Sequence, residues 1–224
     1  WGPADDNCDE WARREAEFKD LTHWLTFGGI DFDFVSESSL APRGGVHRRG
    51  AGKDGLRVGK MAYDAVIVPG CQTIRTATLN RLKQFQRLGG TIIFAGTIPS
   101  LVDARPSAEP AAIAAKCRRV SFDESSILAA VAPFRELRIA LADGAPTDSI
   151  AHQLRHDGTA RYLFLCNTRR REDVGDVAIT VNGRWQVEEF NTFTGMISSM
   201  TAAISGEQTV IPWRCLAHGH LLLR

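Results

Sequence analysis

Cys71 stands just beyond Pro69-Gly70, and the apolar run Ala65-Val66-Ile67-Val68 leads straight into that turn. A thiol at the C-terminal end of a parallel strand, near a helix N-terminus, has the setting that lowers a cysteine pKa and makes a nucleophile. Such a thiol needs an imidazole base within hydrogen-bond reach. His23, His47, His152 and His156 exist, none of them in a recognisable partner motif, so a structural or merely exposed Cys71 is the competing account. Glycoside hydrolysis needs a different set, two carboxyl groups about 5 to 10 Å apart on strand ends or loops. Glu37, Asp54, Asp64 and Asp103 sit at plausible strand ends, where solvated or capping roles would also explain them. Asp31 and Asp33, two apart on one strand, share a face that reads as its solvent side. A dinucleotide site would need a Gly-rich turn between a strand and a helix. Pro69-Gly70-Cys71-Gln72-Thr73 offers one glycine, while Gly44, Gly45, Gly50 and Gly52 lie in a basic loop with no helix behind them. Trp185, Phe190, Phe193 and Trp213 could stack on sugar rings or fill a core. Arg169-Arg170-Arg171 reads as a local positive patch on a solvated turn.

The elements that must position these groups are best marked between Met61 and Gly96. Ala65 to Val68 reads as a strand buried on both faces, stopped by Pro69-Gly70. Leu79, Leu82, Phe85 and Leu88 then recur at helical spacing, and Gly89-Gly90 ends the helix. Thr91-Ile92-Ile93-Phe94-Ala95 is a second buried strand. Strand, helix and strand with short links make a βαβ unit, hence a parallel sheet with a right-handed crossover. Upstream, Asn7 and Glu10 suit the start of a helix whose Trp11, Phe18, Leu21 and Leu25 share a face and whose end is Gly28-Gly29. Ile30 to Val35 alternates apolar and acidic residues and predicts a strand. Residues 36–55, with their serines, Pro42, five glycines and His47-Arg48-Arg49, predict a surface loop. Leu56 to Gly59 reads as a short strand. Pro110 suits an early helical position for Ala111 to Lys116, and Asp123 can cap a helix that Pro133 ends.

Near residue 135 the texture changes to short β-like runs: Leu137–Leu141, Ile150–Leu154, Arg161–Cys166, Val177–Val181, Trp185–Phe190, Val210–Trp213 and Leu221–Leu223. His156-Asp157-Gly158-Thr159 and Asn182-Gly183 read as hairpin turns, and Asn191 to Gly195 as another with Gly195 left-handed. Regular short strands and turns predict an antiparallel β-sandwich. The expected organisation is an α/β domain over 1–147 and a small β-sandwich over 148–224.

Composition narrows the partners. The chain has 224 residues, 44% of them hydrophobic and 24% charged, with 27 Lys and Arg against 26 Asp and Glu. No global field steers polyanions, so nucleic acid is not an expected partner. No apolar run approaches the ~20 residues that span a bilayer. The start, Trp1-Gly2-Pro3, reads as a cut from something longer and carries no signal-peptide core. Cys8, Cys71, Cys117, Cys166 and Cys215 show no CxxC or CxH spacing, so neither a zinc site nor a disulfide framework is expected. Buried thiols acting as small hydrophobes fit better, in a reducing, cytoplasmic compartment.

The strand from Tyr63 to Gly70, the Leu79-Leu82-Phe85-Leu88 helix and the run Gly89-Gly90-Thr91 to Gly96 together resemble the class I glutamine-amidotransferase-like fold, a flavodoxin-like parallel sheet flanked by helices. In active members the strand after the glycine pair ends in a nucleophilic Cys on a tight elbow. This chain has Phe94-Ala95-Gly96-Thr97-Ile98-Pro99 there, without Cys, Ser or Glu, and Cys71 on the earlier loop does not inherit that role. Gly29 to Phe34, Leu56 to Gly59, Tyr63-Asp64, Arg161 to Asn167, Glu188 to Gly195 and His218 to Leu223 are similar to parts of α-L-rhamnosidase-like and β-galactosidase-like glycoside hydrolases. These pair a nucleophile-free amidotransferase-like domain, of the β-galactosidase trimerisation type, with a small sandwich. Their catalytic carboxylates lie on a barrel domain that this sequence does not contain.

The resemblance implies a non-catalytic accessory part of a carbohydrate-active enzyme, scaffolding a catalytic barrel of the same parent protein or forming an oligomer contact. No catalytic, cofactor-binding or metal-ligating residue is assigned, and no cofactor is expected. Carbohydrate is a further candidate partner; nucleic acid and membrane are not. Two alternatives stay open: a stand-alone cysteine hydrolase or amidase using Cys71, and a sugar-binding module using Trp185 or Trp213.

Overall fold

A computed structural model describes residues 8–49 and 53–224, with side chains except at position 8 and across 41–49 and 53–54. Asn7, expected to cap the first helix, lies outside the described residues, as do Gly50 and Gly52. The fold is mixed α/β, with few helices and several sheets, one of them parallel. Two compact units are distinguished: Asp33–Phe134, and the N-terminal stretch to Phe32 together with Arg135–Arg224. Among the described residues no helix is long and apolar enough to cross a membrane.

In the unit Asp33–Phe134 the strand Thr91–Ala95 lies between Ala65–Pro69 and Arg118–Val120, all parallel. Its Ile92, Ile93, Phe94 and Ala95 are at most 2% exposed, as a central strand covered on both faces must be. Ala65–Pro69 is the edge strand, and Val68 alone of its five residues is buried, at 9% exposure, so the expectation of burial on both faces fails there. The helix Thr76–Arg87 connects the two strands and buries Leu79, Leu82 and Phe85. Each such side chain contributes about 1.5–3 kcal/mol of transfer free energy. Leu88, expected on the same row, is the C-cap and is exposed. Gly89 turns left-handed at φ +84 and Gly90 N–H donates to Phe85 O at 2.9 Å, which closes the helix end. Glu109–Ala114 is the next helix, with Pro110 in its first turn, and Asp123 caps Glu124–Val131 by accepting from Ser126 N at 2.8 Å.

Two segments of this unit differ from expectation. Residues 36–55 are not a loop: the helix Glu37–Arg43 leads into Gly44–Arg49, which pairs antiparallel with Lys53–Val58. Their glycines and serines dominate the composition, yet Leu40 and Leu56 are buried in the unit's apolar cluster, and that burial anchors the segment. Ile30 to Val35 forms no strand, because the chain passes there from one compact unit to the other and finds no ladder partner.

In the other unit two antiparallel sheets share one apolar cluster. Four strands run in the order Leu137–Leu141, Gly175–Asn182, Gln208–Cys215, Ala203–Ser205. Five run in the order Ile150–Asp157, Ala160–Asn167, His220–Leu223, Glu188–Phe190, Ile197–Ser199. The hairpin at Gly158 is as expected, with Asp157 opposite Ala160. The turn at Asn182-Gly183 is no hairpin: Glu188–Phe190 pairs in the other sheet, and the crossing chain packs Trp185 and Val187 on the core. The helix Cys8–Phe27 belongs to this unit and packs against Ile150–Asp157. Leu21 and Leu25 are buried, whereas Trp11 and Phe18, expected on the same packed face, are 60% and 50% exposed. Gly29, at φ +72, ends the helix so close to Leu137 that a Cβ would lie 2.2 Å from its carbonyl oxygen.

Candidate functional site

The chemistry of an α/β unit sits where its parallel strands end. Here Pro69 and Ala95 are register partners, and their turns are so close that a Cβ on Gly70 would stand 3.3 Å from Thr97 N. Gly96 adopts φ +82 and donates to Val120 O at 2.9 Å. Beyond exposed Thr97, Ile98 packs on the apolar cluster and Pro99 is fully buried. The strand therefore delivers a tight left-handed turn at a residue with no side chain. Nothing at that position can attack a carbonyl carbon.

Cys71 is half-buried and packs against the apolar cluster. The helix Thr76–Arg87 begins after an intervening strand, Thr73–Ile74, so the thiol is not in its first turn. Carboxylates hold the start of that helix. Arg75 N donates to Glu37 Oε1 at 3.0 Å, and Thr76 donates to Asp103 from its backbone N at 3.2 Å and its hydroxyl at 2.5 Å. The positive end of the dipole is therefore matched by side chains of the protein itself. His23, His152 and His156 belong to the other unit, and the His47 side chain lies outside the described residues.

Two of the four carboxylates weighed for glycoside hydrolysis, Glu37 and Asp103, are thus helix-end acceptors. The Thr76 hydrogen bonds hold the Asp103 carboxyl below its usual range. A glycosidase acid needs the opposite shift, a proton retained near neutral pH. The Asp54 side chain lies outside the described residues, and Asp64 is exposed at the start of the Ala65–Pro69 strand with partners of its own. Asp31 is exposed, and Asp33 accepts from the Tyr63 hydroxyl at 2.7 Å.

In the second unit the aromatic candidates part company. The Trp185 indole N–H donates to Asn182 O at 2.7 Å, its ring packs on the core, and the Arg161 guanidinium lies 4.6 Å over it. Trp213 packs on the same core from its strand. Both rings are partly buried against that core. Phe190 meets Tyr162 edge-on at 6.3 Å and carries Arg224 at 5.4 Å. Phe193 alone of the four is widely open, 86% exposed, beside His220 at 5.4 Å. Beneath Trp185 lies an apolar cleft of ≈ 390 Å³, part of it open solvent, lined by Leu154, Leu163, Ile211 and Leu223. Its arginines are already paired, Arg161 with Glu136 at 3.2 Å and Arg224 with Glu188 at 2.5 Å.

Arg169 bridges Asp148 at 3.1 Å and Glu172 at 3.7 Å, so the arginine triplet is partly neutralised. Cys117, Cys166 and Cys215 are free thiols like Cys71, and burial pushes Cys215 up to about 11. Among the described residues no group of three or more His, Cys, Asp or Glu could hold a metal ion. Sequence reasoning missed the left-handed turn at Gly96 and the Arg161–Trp185 stack; the pair Gly183 and Trp185 was a signal for the latter, since a Cβ at 183 would strike the indole at 2.5 Å.

No protein-family model matches this sequence, and no curated protein matches it. Solved structures share its fold. A rhamnosidase from Novosphingobium sp. PP1Y matches with TM-score 0.61 and 18% identity, over 85% of this chain and 19% of its own. An alpha-L-fucosidase isoenzyme 2 from Paenibacillus thiaminolyticus matches with TM-score 0.57 and 9% identity, over 92% of this chain and 44% of its own. A beta-galactosidase from Bacillus circulans sp. alkalophilus matches with TM-score 0.53 and 12% identity, over 93% of this chain and 37% of its own. These neighbours are glycoside hydrolases, and this chain spans less than half the length of each.

Proposed function

We propose that this chain is a non-catalytic, accessory part of a glycoside hydrolase, which scaffolds a catalytic barrel or forms an oligomer contact. The carrying observation is the fold match, nearly the whole of this chain laid over a minor part of three glycoside hydrolases. The inert turn at Gly96 and the helix-end roles of Glu37 and Asp103 support it, since none of these three supplies a nucleophile or a proton-holding acid at the strand ends. In this reading the α/β part, expected over 1–147, is an amidotransferase-like domain that has lost its nucleophile. The part over 148–224 is a β-sandwich. The free thiols suit a reducing compartment.

The test is direct. The purified chain, offered aryl rhamnosides, fucosides and galactosides, is expected to release no aglycone above buffer. Turnover that co-purifies with the chain through a second, orthogonal purification would defeat the proposal.

A further inference from the structure

We propose that the edge segment Met196–Ser205 is a self-association surface, through which two copies of this chain pair about a two-fold axis. This deepens the accessory reading by locating an oligomer contact. The strands Ile197–Ser199 and Ala203–Ser205 are the outer strands of the five- and four-stranded sheets, each bonded on one side only. All six of their residues are exposed. Three residues join them, so the two edges lie within about 14 Å of each other. Met200 N–H donates to Val187 O at 2.9 Å, and Met200 and Ala202 pack on the core, which fixes the segment in place.

An open sheet edge invites pairing, and proteins ordinarily blunt it with charge, proline or a covering element. The two remaining edges of this unit follow that rule. Leu137–Leu141 carries Arg138 and lies against the Gly29 backbone; Ile150–Asp157 carries Arg155, His156 and Asp157 and has the helix Cys8–Phe27 against it. From Met196 to Ser205 there is no charged residue and no proline. Met196, Ile197 and Ile204 are 69%, 49% and 45% exposed, and Phe193 lies just upstream.

The missing charge selects the occupant. In a two-fold contact each patch meets its own copy, so any charge near the axis faces a like charge. A strip of isoleucine, methionine, alanine, serine and threonine is self-complementary without such repulsion. Two three-residue strands supply few backbone hydrogen bonds, so the apolar side chains carry the affinity and the dimer is weak and concentration-dependent.

Sedimentation velocity of the full chain over a concentration series tests this, beside the I197K/I204K double variant and an M61K control in the other unit. Reversible dimerisation is expected for the parent and the control, weakened about 100-fold by the paired lysines. Backbone amides in 196–205 of the parent chain are expected to exchange more slowly as concentration rises. A parent that stays monomeric throughout, or dimers that the double variant retains, overturns the proposal. Glycosidase turnover by the chain would defeat the accessory reading and leave this contact untouched.

Discussion

Gly96 is the position at which the inert turn can be tested by substitution. Its φ of +82 is a conformation that an L side chain adopts at a cost of roughly 1–2 kcal/mol. A Cβ there would stand 3.2 Å from Phe122 Cβ, a few tenths of an ångström inside ordinary contact, which a small shift of half-buried Phe122 would relieve. The backbone term therefore dominates, and Gly96→Ala is expected to lower the stability of the Asp33–Phe134 unit by about 1–2 kcal/mol, roughly 5- to 30-fold in its folded-to-unfolded ratio. Adding Phe122→Ala keeps the Cβ that makes this contact and leaves the dihedral unchanged, so little recovery is expected on that background. Tryptophan fluorescence is the wrong probe, because the sequence Asp33–Phe134 contains no tryptophan. Hydrogen exchange of peptides covering Ala65–Pro69 and Thr91–Ala95 reads the unit itself. Gly96→Cys, which places a thiol at the strand end, should be destabilised alike and gain no hydrolase activity. An alanine variant as protected as the parent would show that the turn does not need glycine, and the reasoning from its backbone would fall.

Gly29→Ala meets a harder obstacle, the Leu137 carbonyl 2.2 Å from the new Cβ, and adds a left-handed φ of +72; a loss of about 2–5 kcal/mol is expected, read as protease cleavage within Cys8–Phe27 that the parent resists. Burial pushes the His152 imidazole pKa down, with Asp31 opposing and Nδ1 without a partner. The unfolded chain then takes up a proton near 6.5 that the folded one resists, so this contribution is complete above that pH and is lost as pH falls through it. Urea midpoints at neutral and mildly acidic pH should differ less in His152→Leu than in the parent. Iodoacetamide near neutral pH should leave Cys215 unmodified until unfolding, since it is fully buried and its pKa is about 11. Cys71 should react no faster than Cys117 or Cys166, and selective labelling of Cys71 would revive the thiol-hydrolase alternative. Trp185→Phe, which removes the 2.7 Å bond to Asn182 O, is expected to cost about 1 kcal/mol, measured by tracking urea unfolding of the second unit through far-ultraviolet circular dichroism.

The elements legible in the sequence are those whose signals are local. Leu79, Leu82 and Phe85 mark a helix face by spacing alone, and both glycine pairs end their helices because a left-handed residue closes the last turn. The lack of Cys, Ser or Glu across Phe94 to Pro99 was equally plain, since absence of a side-chain type needs no geometry to read. What failed depended on partners distant in the chain. Ile30 to Val35 alternates like a strand but finds no ladder, and Gly44–Arg49 reads like a loop but finds Lys53–Val58. Ala65–Pro69 looks central and is an edge, because sheet order is set by which strands pair and not by their apolarity.

Amino-acid order by itself determined where helices start and stop, which strands could be buried, and that no Cys, Ser or Glu stands between Phe94 and Pro99. Tertiary structure alone decided that Asn182-Gly183 sends the chain to a second sheet, that Trp185 turns its indole to the core, and that the uncharged stretch after Gly195 lies on two open edges. The physical reason is range. Capping and periodicity act within one turn of helix or a few residues of strand, whereas pairing and packing are chosen among all the surfaces that the folded chain brings together.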